Sequence, residues 1–122
     1  MSIKSKKTGE EGENLAVELL TSKGYEIVKR NYRFGKGEID IIARDPETGY
    51  LVFVEVKSRE NLEYDLPEYA ITRNKIRQIK KIAGLYLFEN NIQNADCRFD
   101  VVTILFRENL KPDINHYINA FN

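Results

Sequence analysis

The sequence has few of the residues on which disulfides, zinc clusters and membrane anchors depend. It contains one cysteine, Cys97, and one histidine, His116. A single cysteine excludes a disulfide within the chain, and one cysteine with one histidine excludes a Cys/His zinc cluster. No apolar run approaches the roughly 20 residues that cross a bilayer, and no apolar stretch follows the charged start to form a signal peptide. We therefore expect a cytoplasmic protein.

An excess of charge of one sign is also missing. Lys and Arg together number 19, as do Asp and Glu, so the formal net charge is zero. The protein as a whole has no net positive charge that would attract nucleic acid. Nucleic-acid binding would have to depend on local clusters of cations. The length of 122 residues suits a single domain, which we place at 1–122 with about 1–9 as a flexible N-terminal segment.

The order of the hydrophobic patterns predicts an α/β fold. Apolar residues at helical spacing predict helices at about 10–22 and 72–88. Runs rich in β-formers predict strands at about 26–33, 38–44, 50–58 and 98–106, so that one or two strands follow the second helix, with 114–119 as the candidate for a short final one. The Asp, Pro and Gly at 45–49 predict a hairpin, and loops are expected at 34–37 and 59–69. A mixed sheet with one helix packed on each face would bury these apolar surfaces.

The most informative segment joins a buried strand to charged residues. The apolar run 51–54 leads directly into Glu55-Val56-Lys57. Side chains two apart on a strand share a face, so Glu55 and Lys57 point the same way, as do Glu38 and Asp40. Buried charges are tolerated when they are paired or bind a metal. The pattern favours a metal-dependent phosphodiesterase site, although acid-x-lysine pairs are also common as surface ion pairs.

Carboxylates from three segments are the candidate ligands. Magnesium takes hard oxygen ligands and usually keeps several waters, so two or three carboxylates are enough. We assign Asp40 and Glu55 as the central ligands of Mg²⁺ or Mn²⁺. Glu13 lies within the apolar arc of the first helix, where it would complete or border the site. The alternative is that Glu13 lies in the first helical turn and points to water. Lys57 would orient the attacking water or stabilise the negative charge of the transition state.

Two groups of cations are candidates for contacting phosphates. One group follows a stripe of the second predicted helix, and the other flanks a glycine-containing loop: Arg73, Arg77 and Lys80, and Arg33 and Lys36. They would form a rim for nucleic acid. The alternative for the helix is a solvated face. Arg59 follows the acid-x-lysine motif closely enough to contact the scissile phosphate.

Other aromatic and charged residues have simpler interpretations. Tyr32 and Phe34 would either stack on an unpaired base or pack against the sheet, and packing is the interpretation we favour. Arg98 and Asp100 share a strand face, and we expect them to form a buried or half-buried ion pair. We expect His116 to be a structural histidine.

Short motifs extend from the first helix nearly to the last residue: Gly12-Glu13, Asn31-Tyr32-Arg33, Gly37-Glu38-Ile39-Asp40, the segment 52–59, Arg98-Phe99-Asp100-Val101-Val102 and the segment 116–121. With these motifs the chain resembles the YraN-type family of small uncharacterised bacterial proteins. That family is similar to archaeal Holliday-junction resolvases and to the restriction-endonuclease-like superfamily.

The resemblance implies a restriction-endonuclease-like core, with a mixed central β-sheet flanked by helices on both faces. It implies metal-ligand roles for Asp40, Glu55 and Glu13 and a catalytic role for Lys57. We therefore predict a Mg²⁺- or Mn²⁺-dependent endonuclease acting on DNA, with branched or structured DNA as candidate substrates. A homodimer is implied as well, because resolvases act on two-fold symmetric junctions. The alternative is a non-catalytic nucleic-acid-binding or adaptor module that retains the nuclease fold.

Overall fold

The computed structural model describes residues 3–60 and 71–122, with side chains from residue 9 onward. Two helices and five strands follow one another along the chain: α1 (Ile3–Ser22), β1 (Glu26–Phe34), β2 (Gly37–Arg44), β3 (Leu51–Arg59), α2 (Arg73–Glu89), β4 (Cys97–Leu105) and β5 (Asp113–Phe121). The predicted α/β class and order of elements are confirmed. Neither helix is long and apolar enough to cross a membrane within these described ranges.

The five strands form one mixed sheet in the order β1-β2-β3-β4-β5. Neighbouring strands are antiparallel except for β3 and β4, which are parallel. A parallel pair needs a crossover connection rather than a tight hairpin, and α2 lies within that connection. The crossover therefore brings α2 back over the sheet.

Each face of the sheet is covered by one helix, as predicted. On one face, Ala16 and Leu20 of α1 pack with residues such as Val54. On the other face, Ile79 and Ile82 of α2 pack with a second cluster. The buried strand residues divide between the two clusters: Ile41, Ala43, Val52, Val54, Val102 and Ile104 lie beneath α1, and Ile39, Ile42, Leu51 and Phe53 lie beneath α2.

Some element boundaries differ from the prediction. Helix α1 begins at Ile3 rather than at about residue 10, because lysines support a helix without adding an apolar stripe. Glu13 therefore lies well inside the helix, and the alternative that placed it in the first turn is wrong. Strand β5 is longer than the predicted 114–119. Of the loop predicted at 59–69, Arg59 ends β3, and residues 61–69 lie outside the described residues.

Helix α1 approaches β3 closely at Gly12. A Cβ atom at Gly12 would lie only 1.8 Å from the Oγ atom and 3.0 Å from the Cβ atom of Ser58, so any side chain at this position would force Ser58 to shift. Glu13 follows this contact directly. The glycine therefore fixes the position of Glu13 relative to the charged end of β3.

Candidate active site

Asp40 on β2 and Glu55 on β3 are neighbours at the point where the two strands separate. The antiparallel ladder ends at the pair Ile41↔Val54, and one further step reaches Asp40 and Glu55. The Asp40 carboxylate there accepts the N–H of Val56 at 2.7 Å. A side chain thus provides the acceptor for a backbone group of β3. The two carboxyl groups are also hydrogen-bonded to each other.

The alternation of side chains along β2 is interrupted beside this pair. Ile39 and Ile42 are both buried in the cluster beneath α2. Residues three apart in a regular strand face opposite sides, so the strand is irregular between them. The regular alternation predicted for β2 therefore does not hold across Asp40. The irregularity is where β2 diverges from β3, and it leaves room for the two carboxyl groups.

The crowding of the two acids changes their protonation. Burial raises the pKa of Glu55 to about 8, and the adjacent Asp40 charge and their shared hydrogen bond act in the same direction. Burial also raises the pKa of Asp40, although hydrogen bonds from Val56 and Glu55 oppose this effect. Near neutral pH, Glu55 therefore retains a proton that it donates to Asp40. The pair then carries about one negative charge rather than two.

Glu13 borders this pair and is held by other partners. Its Oε1 atom accepts hydrogen bonds from Arg30 Nε and Asn31 Nδ2, both at 3.0 Å. Its side chain is 14% exposed, and its charge contributes to the raised pKa of Asp40. Asn31 has a left-handed backbone, with φ of 52°. Glu13 is therefore close to the pair, while its carboxylate is engaged with β1.

A pocket of about 220 Å³ opens beside the carboxyl pair and is lined by Glu55, Lys57, Ile71, Thr72 and Lys75. Burial lowers the pKa of Lys57, and the charge of Arg59 adds to this effect while Glu55 opposes it. The Nζ atom of Lys75 lies 3.9 Å from Oε2 of Glu55. The pocket therefore combines an acid with two amines, one from β3 and one from α2.

Lys75 is a further residue of this site, which the fold brings to Glu55. Lys75 precedes the buried Ile79 by four residues and the buried Ile82 by seven. That spacing places it on the stripe of α2 that faces the sheet, which is the signal that identifies it. Thr72 begins the helix by accepting the N–H of Lys75 through its side chain at 3.1 Å. Both residues line the pocket, so the start of α2 lies beside it.

The candidate phosphate-contacting residues lie in two exposed regions and at the end of β3. The three α2 cations that the sequence nominates for phosphate contact are all exposed: Arg73, Arg77 and Lys80. Arg33 and Lys36 are exposed beside the β1–β2 turn, and Arg33 forms an ion pair with Glu38 at 3.0 Å. This pair supports a structural role for Glu38. Arg59 is partly buried as the last residue of β3.

The donor set at the carboxyl pair suits a divalent cation. Asp40 and Glu55 offer adjacent hard oxygen atoms, and their shared proton occupies a place that a cation would take. Among residues 3–60 and 71–122, no group of three or more His, Cys, Asp or Glu residues is arranged to hold a metal. One or two carboxylates with waters and substrate phosphates are a usual set for Mg²⁺. The pair fits that set, with Glu13 at its border.

The fold and the site define a small α/β protein with a carboxyl pair at the separation of two strands. The chain belongs to the uncharacterised protein family UPF0102, whose pattern matches residues 12–104. This confirms the resemblance to YraN-type proteins. A UPF0102 protein of Geobacter metallireducens is 46% identical over 121 residues, covering 99% of this chain and 97% of the relative. One of Clostridioides difficile is 40% identical over 119 residues, covering 98% and 100%.

Two solved structures align with this fold at low scores. EndoMS in complex with double-stranded DNA aligns with a TM-score of 0.43 and 19% identity, covering 72% of this chain and 34% of that chain. SfsA of Pyrococcus furiosus in complex with Ca²⁺ aligns with a TM-score of 0.43 and 17% identity, covering 94% and 64%. Because both scores are below 0.5, we infer function from the residues of this chain.

Proposed function

We propose that this protein is a Mg²⁺- or Mn²⁺-dependent endonuclease with a restriction-endonuclease-like core. The protein would act in the cytoplasm, and its substrate would be DNA, including branched or structured DNA formed in repair or recombination. The observation that supports the proposal is the half-buried Asp40–Glu55 pair, with Lys57 on the same strand two residues beyond Glu55. Two half-buried acids this close together would suit a cation, because a well-packed apolar pair would fold at lower cost.

Asp40 and Glu55 would hold the metal, with Glu13 bordering the site. A bound divalent ion supplies a Lewis acid for a phosphate oxygen and lowers the pKa of a bound water. The N–H of Val56 fixes one oxygen of Asp40 at 2.7 Å, which orients the carboxylate before any ligand arrives. Preorganised ligands of this kind reduce the reorganisation needed during the reaction.

Lys57 would act on the reacting groups. Its lowered pKa increases the fraction of neutral amine, which can hold or accept a proton from the attacking water. In its charged form the same side chain would stabilise the negative charge that develops on the phosphate. Both roles require an amine beside a carboxylate within a partly closed pocket, and Lys57 lines the same pocket as Glu55.

The exposed cations would position the nucleic acid. Arg73, Arg77 and Lys80 recur along α2 at intervals of four and three residues, which places them on one stripe of the helix. Contacts from such a stripe to phosphates would not depend on base sequence. Arg33, Lys36 and Arg59 would extend this contact. Two copies of the chain would suit a two-fold symmetric junction.

A non-catalytic nucleic-acid-binding or adaptor module is the second candidate, and one contact favours it. The Lys75 ammonium lies 3.9 Å from Glu55 and lowers the pKa of that acid, so it offsets part of the negative charge without a metal. A site stabilised in this way would keep its fold and bind DNA without cleaving it. Metal-dependent turnover distinguishes the two candidates.

The experiment is a cleavage assay on end-labelled nucleic acids. The panel contains single-stranded, duplex, flapped and four-way-junction DNA together with RNA, each with Mg²⁺, Mn²⁺ or EDTA. Wild-type protein is compared with Glu55→Ala and with Glu47→Ala, an exposed acid in the β2–β3 turn that serves as the matched control. We expect cleavage of DNA that requires metal, is lost in Glu55→Ala and persists in Glu47→Ala.

Two results would contradict the nuclease proposal. Equal cleavage by wild type and Glu55→Ala would show that another site, or a contaminant, performs the reaction. Salt-sensitive binding without cleavage by any of the proteins would favour the adaptor module instead. The panel also identifies the substrate class, because each DNA structure is tested at the same concentration.

A further inference from the structure

The tip of the β1–β2 hairpin carries an exposed aromatic ring. Phe34 ends β1 and pairs with Gly37 of β2, so Gly35 and Lys36 form a two-residue turn. Gly35 has a φ of 60°, as the first central residue of a type II′ turn requires. A Cβ atom at Gly35 would have nothing within 4 Å. Phe34 is 48% exposed, so its ring lies beside a turn that projects into open space.

Tyr32, two residues earlier, has a different environment. It is 9% exposed, its ring packs at 86° to that of Tyr86 with centroids 5.1 Å apart, and its hydroxyl is bonded to Glu89. Of the two aromatic residues considered for base stacking, Tyr32 belongs to the core. Phe34 has the accessible ring that stacking requires.

Cations lie on both sides of Phe34 in the chain. Arg33 stays 74% exposed although it pairs with Glu38, and Lys36 is exposed in the turn. An exposed apolar ring on a hairpin tip that also carries two exposed cations suits a ligand that has both a flat apolar face and negative charge. A nucleotide has both properties, and proteins that bind single strands combine aromatic side chains with cations in this way.

The hairpin tip lies only a few residues along β2 from the carboxyl pair, so one DNA strand could reach both. Gly37, which pairs with Phe34, precedes Asp40 by three residues on β2. Three residues of extended strand span roughly 10 Å. A base stacked on Phe34 would therefore lie within a few nucleotides of a phosphate at Asp40.

We propose that Phe34 stacks on an unpaired nucleobase of the DNA, and that Arg33 and Lys36 hold the neighbouring phosphates. This inference rests on the proposed function and narrows its substrate to DNA with an unpaired nucleotide near the bond that is cut. A fully paired duplex keeps its bases stacked on each other, so it offers no free face to Phe34. Flaps, bulges and open junction centres provide one.

The test measures binding in EDTA, where metal-dependent cleavage does not occur. Fluorescence anisotropy compares a labelled duplex with the same duplex carrying one unpaired nucleotide. The proteins are wild type, Phe34→Ala, Phe34→Trp and Phe88→Ala. Phe88 is the matched control, because it is an 81% exposed phenylalanine that lies on α2, outside the hairpin, and has no role in the proposed contacts.

We expect wild type to prefer the DNA with the unpaired nucleotide by about five-fold or more, the lower end of the effect of one base–aromatic stack. Phe34→Ala should lose this preference while retaining its affinity for the paired duplex. Phe34→Trp should keep the preference, since indole also stacks, and Phe88→Ala should match wild type. A 2-aminopurine placed at the unpaired position should be quenched by wild type and not by Phe34→Ala.

The outcomes separate the inference from the proposed function. If wild type binds both DNAs equally and Phe34→Ala behaves in the same way, the stacking role is wrong while DNA binding stands. If none of the proteins binds either DNA in EDTA, the stacking inference is wrong, while the cleavage assay with metal decides the proposed function separately. If Phe34→Ala alters self-association in sedimentation velocity and leaves the DNA preference unchanged, the ring belongs to a protein contact and the inference is also overturned.

Discussion

Arg98 and Asp100, two residues apart on β4, form a bidentate ion pair inside the protein. Nε and Nη2 of Arg98 each lie 2.9 Å from an oxygen of Asp100. The side chains are 10% and 0% exposed, so the pair is shielded from water. Arg98 also contacts Asp45 at 2.7 Å, and His116 contacts Asp100 at 2.7 Å. The expected ion pair is confirmed, and His116 has the structural role predicted for it.

We expect loss of Arg98 to destabilise the fold strongly. In Arg98→Ala, Asp45 and Asp100 lose the guanidinium that both of them contact, and removing one partner of a buried ion pair costs about 3–5 kcal/mol. The matched control is Arg107→Ala. Arg107 pairs with Asp113 on the surface, where the side chains are 42% and 48% exposed, so its loss should cost less than about 1 kcal/mol. Urea unfolding of the three proteins measures both values, and equal stabilities would contradict the prediction.

The ion pair between Arg98 and Asp45 should stabilise the fold at neutral pH and lose this effect in acid. Hydrogen bonds from Arg98 lower the pKa of Asp45 from 3.8 to about 2. A carboxyl group with a lowered pKa in the folded state stabilises the fold above its unfolded pKa, and this contribution is lost as the pH falls towards 2. Wild type should therefore exceed Asp45→Asn in free energy of unfolding by a constant amount above about pH 5, and by less below about pH 4. A difference that does not change with pH would contradict the assignment.

Gly12 should not tolerate a methyl group. The Cβ atom of Gly12→Ala would lie 1.8 Å from Ser58 Oγ and 3.0 Å from Ser58 Cβ, so the serine side chain would have to rotate and its Cβ atom would still be in tight contact. The steric overlap should lower the free energy of unfolding by about 1–3 kcal/mol. This loss should exceed the roughly 1 kcal/mol by which alanine stabilises a helix relative to glycine. Gly9→Ala is the control, since nothing lies within 4 Å of its Cβ position and the variant should be slightly more stable. Adding Gly12→Ala to a Ser58→Gly protein should cost much less, and an unchanged cost would exclude this contact as the cause.

Reversing the charges on α2 should weaken binding to every DNA in similar proportion. Arg73→Glu, Arg77→Glu and Lys80→Glu each remove a cation that we assign to a phosphate. Each lost contact should reduce the slope of log affinity against log salt by roughly 0.9. Lys111→Glu, an exposed lysine between β4 and β5, is the control for charge alone. If Lys111→Glu weakens binding as much as the α2 variants, α2 is not the contact surface.

The sequence predicts the parts of this structure that depend on local periodicity. Apolar runs and helical spacing identify the elements, and the acid-x-lysine pattern places Lys57 two residues from Glu55 on one strand. Contacts made by irregular backbone are different. Glu13 is bonded to Arg30 and to Asn31, and Asn31 has a left-handed φ in a strand that also contains a bulge between Ile27 and Lys29. No regular period predicts those positions.

Contacts that depend on the crossover are also absent from the sequence pattern. Lys75 reaches Glu55 because α2 returns over the sheet, and a helical wheel alone does not indicate which strand lies below. Asp45 reaches Arg98 across 53 positions of the chain. Its place in a turn predicts Asx-type hydrogen bonds, which it makes to the N–H groups of Glu47 and Thr48, and does not predict a buried ion pair.

The central claim is that the carboxylates of Asp40 and Glu55 serve a metal ion and not only the fold. The most direct measurement is the rate of Mg²⁺-dependent DNA cleavage by wild type, Asp40→Asn and Glu55→Gln, with melting temperatures recorded on the same samples. The amides keep the shape and a hydrogen-bonding oxygen, including an acceptor for Val56, and they remove the charge that a metal requires. We predict cleavage at least about 100-fold slower in both variants, because metal catalysis is worth several kcal/mol and each 1.36 kcal/mol is ten-fold in rate, with folded protein in each case. Cleavage at the wild-type rate by either folded variant would contradict the claim.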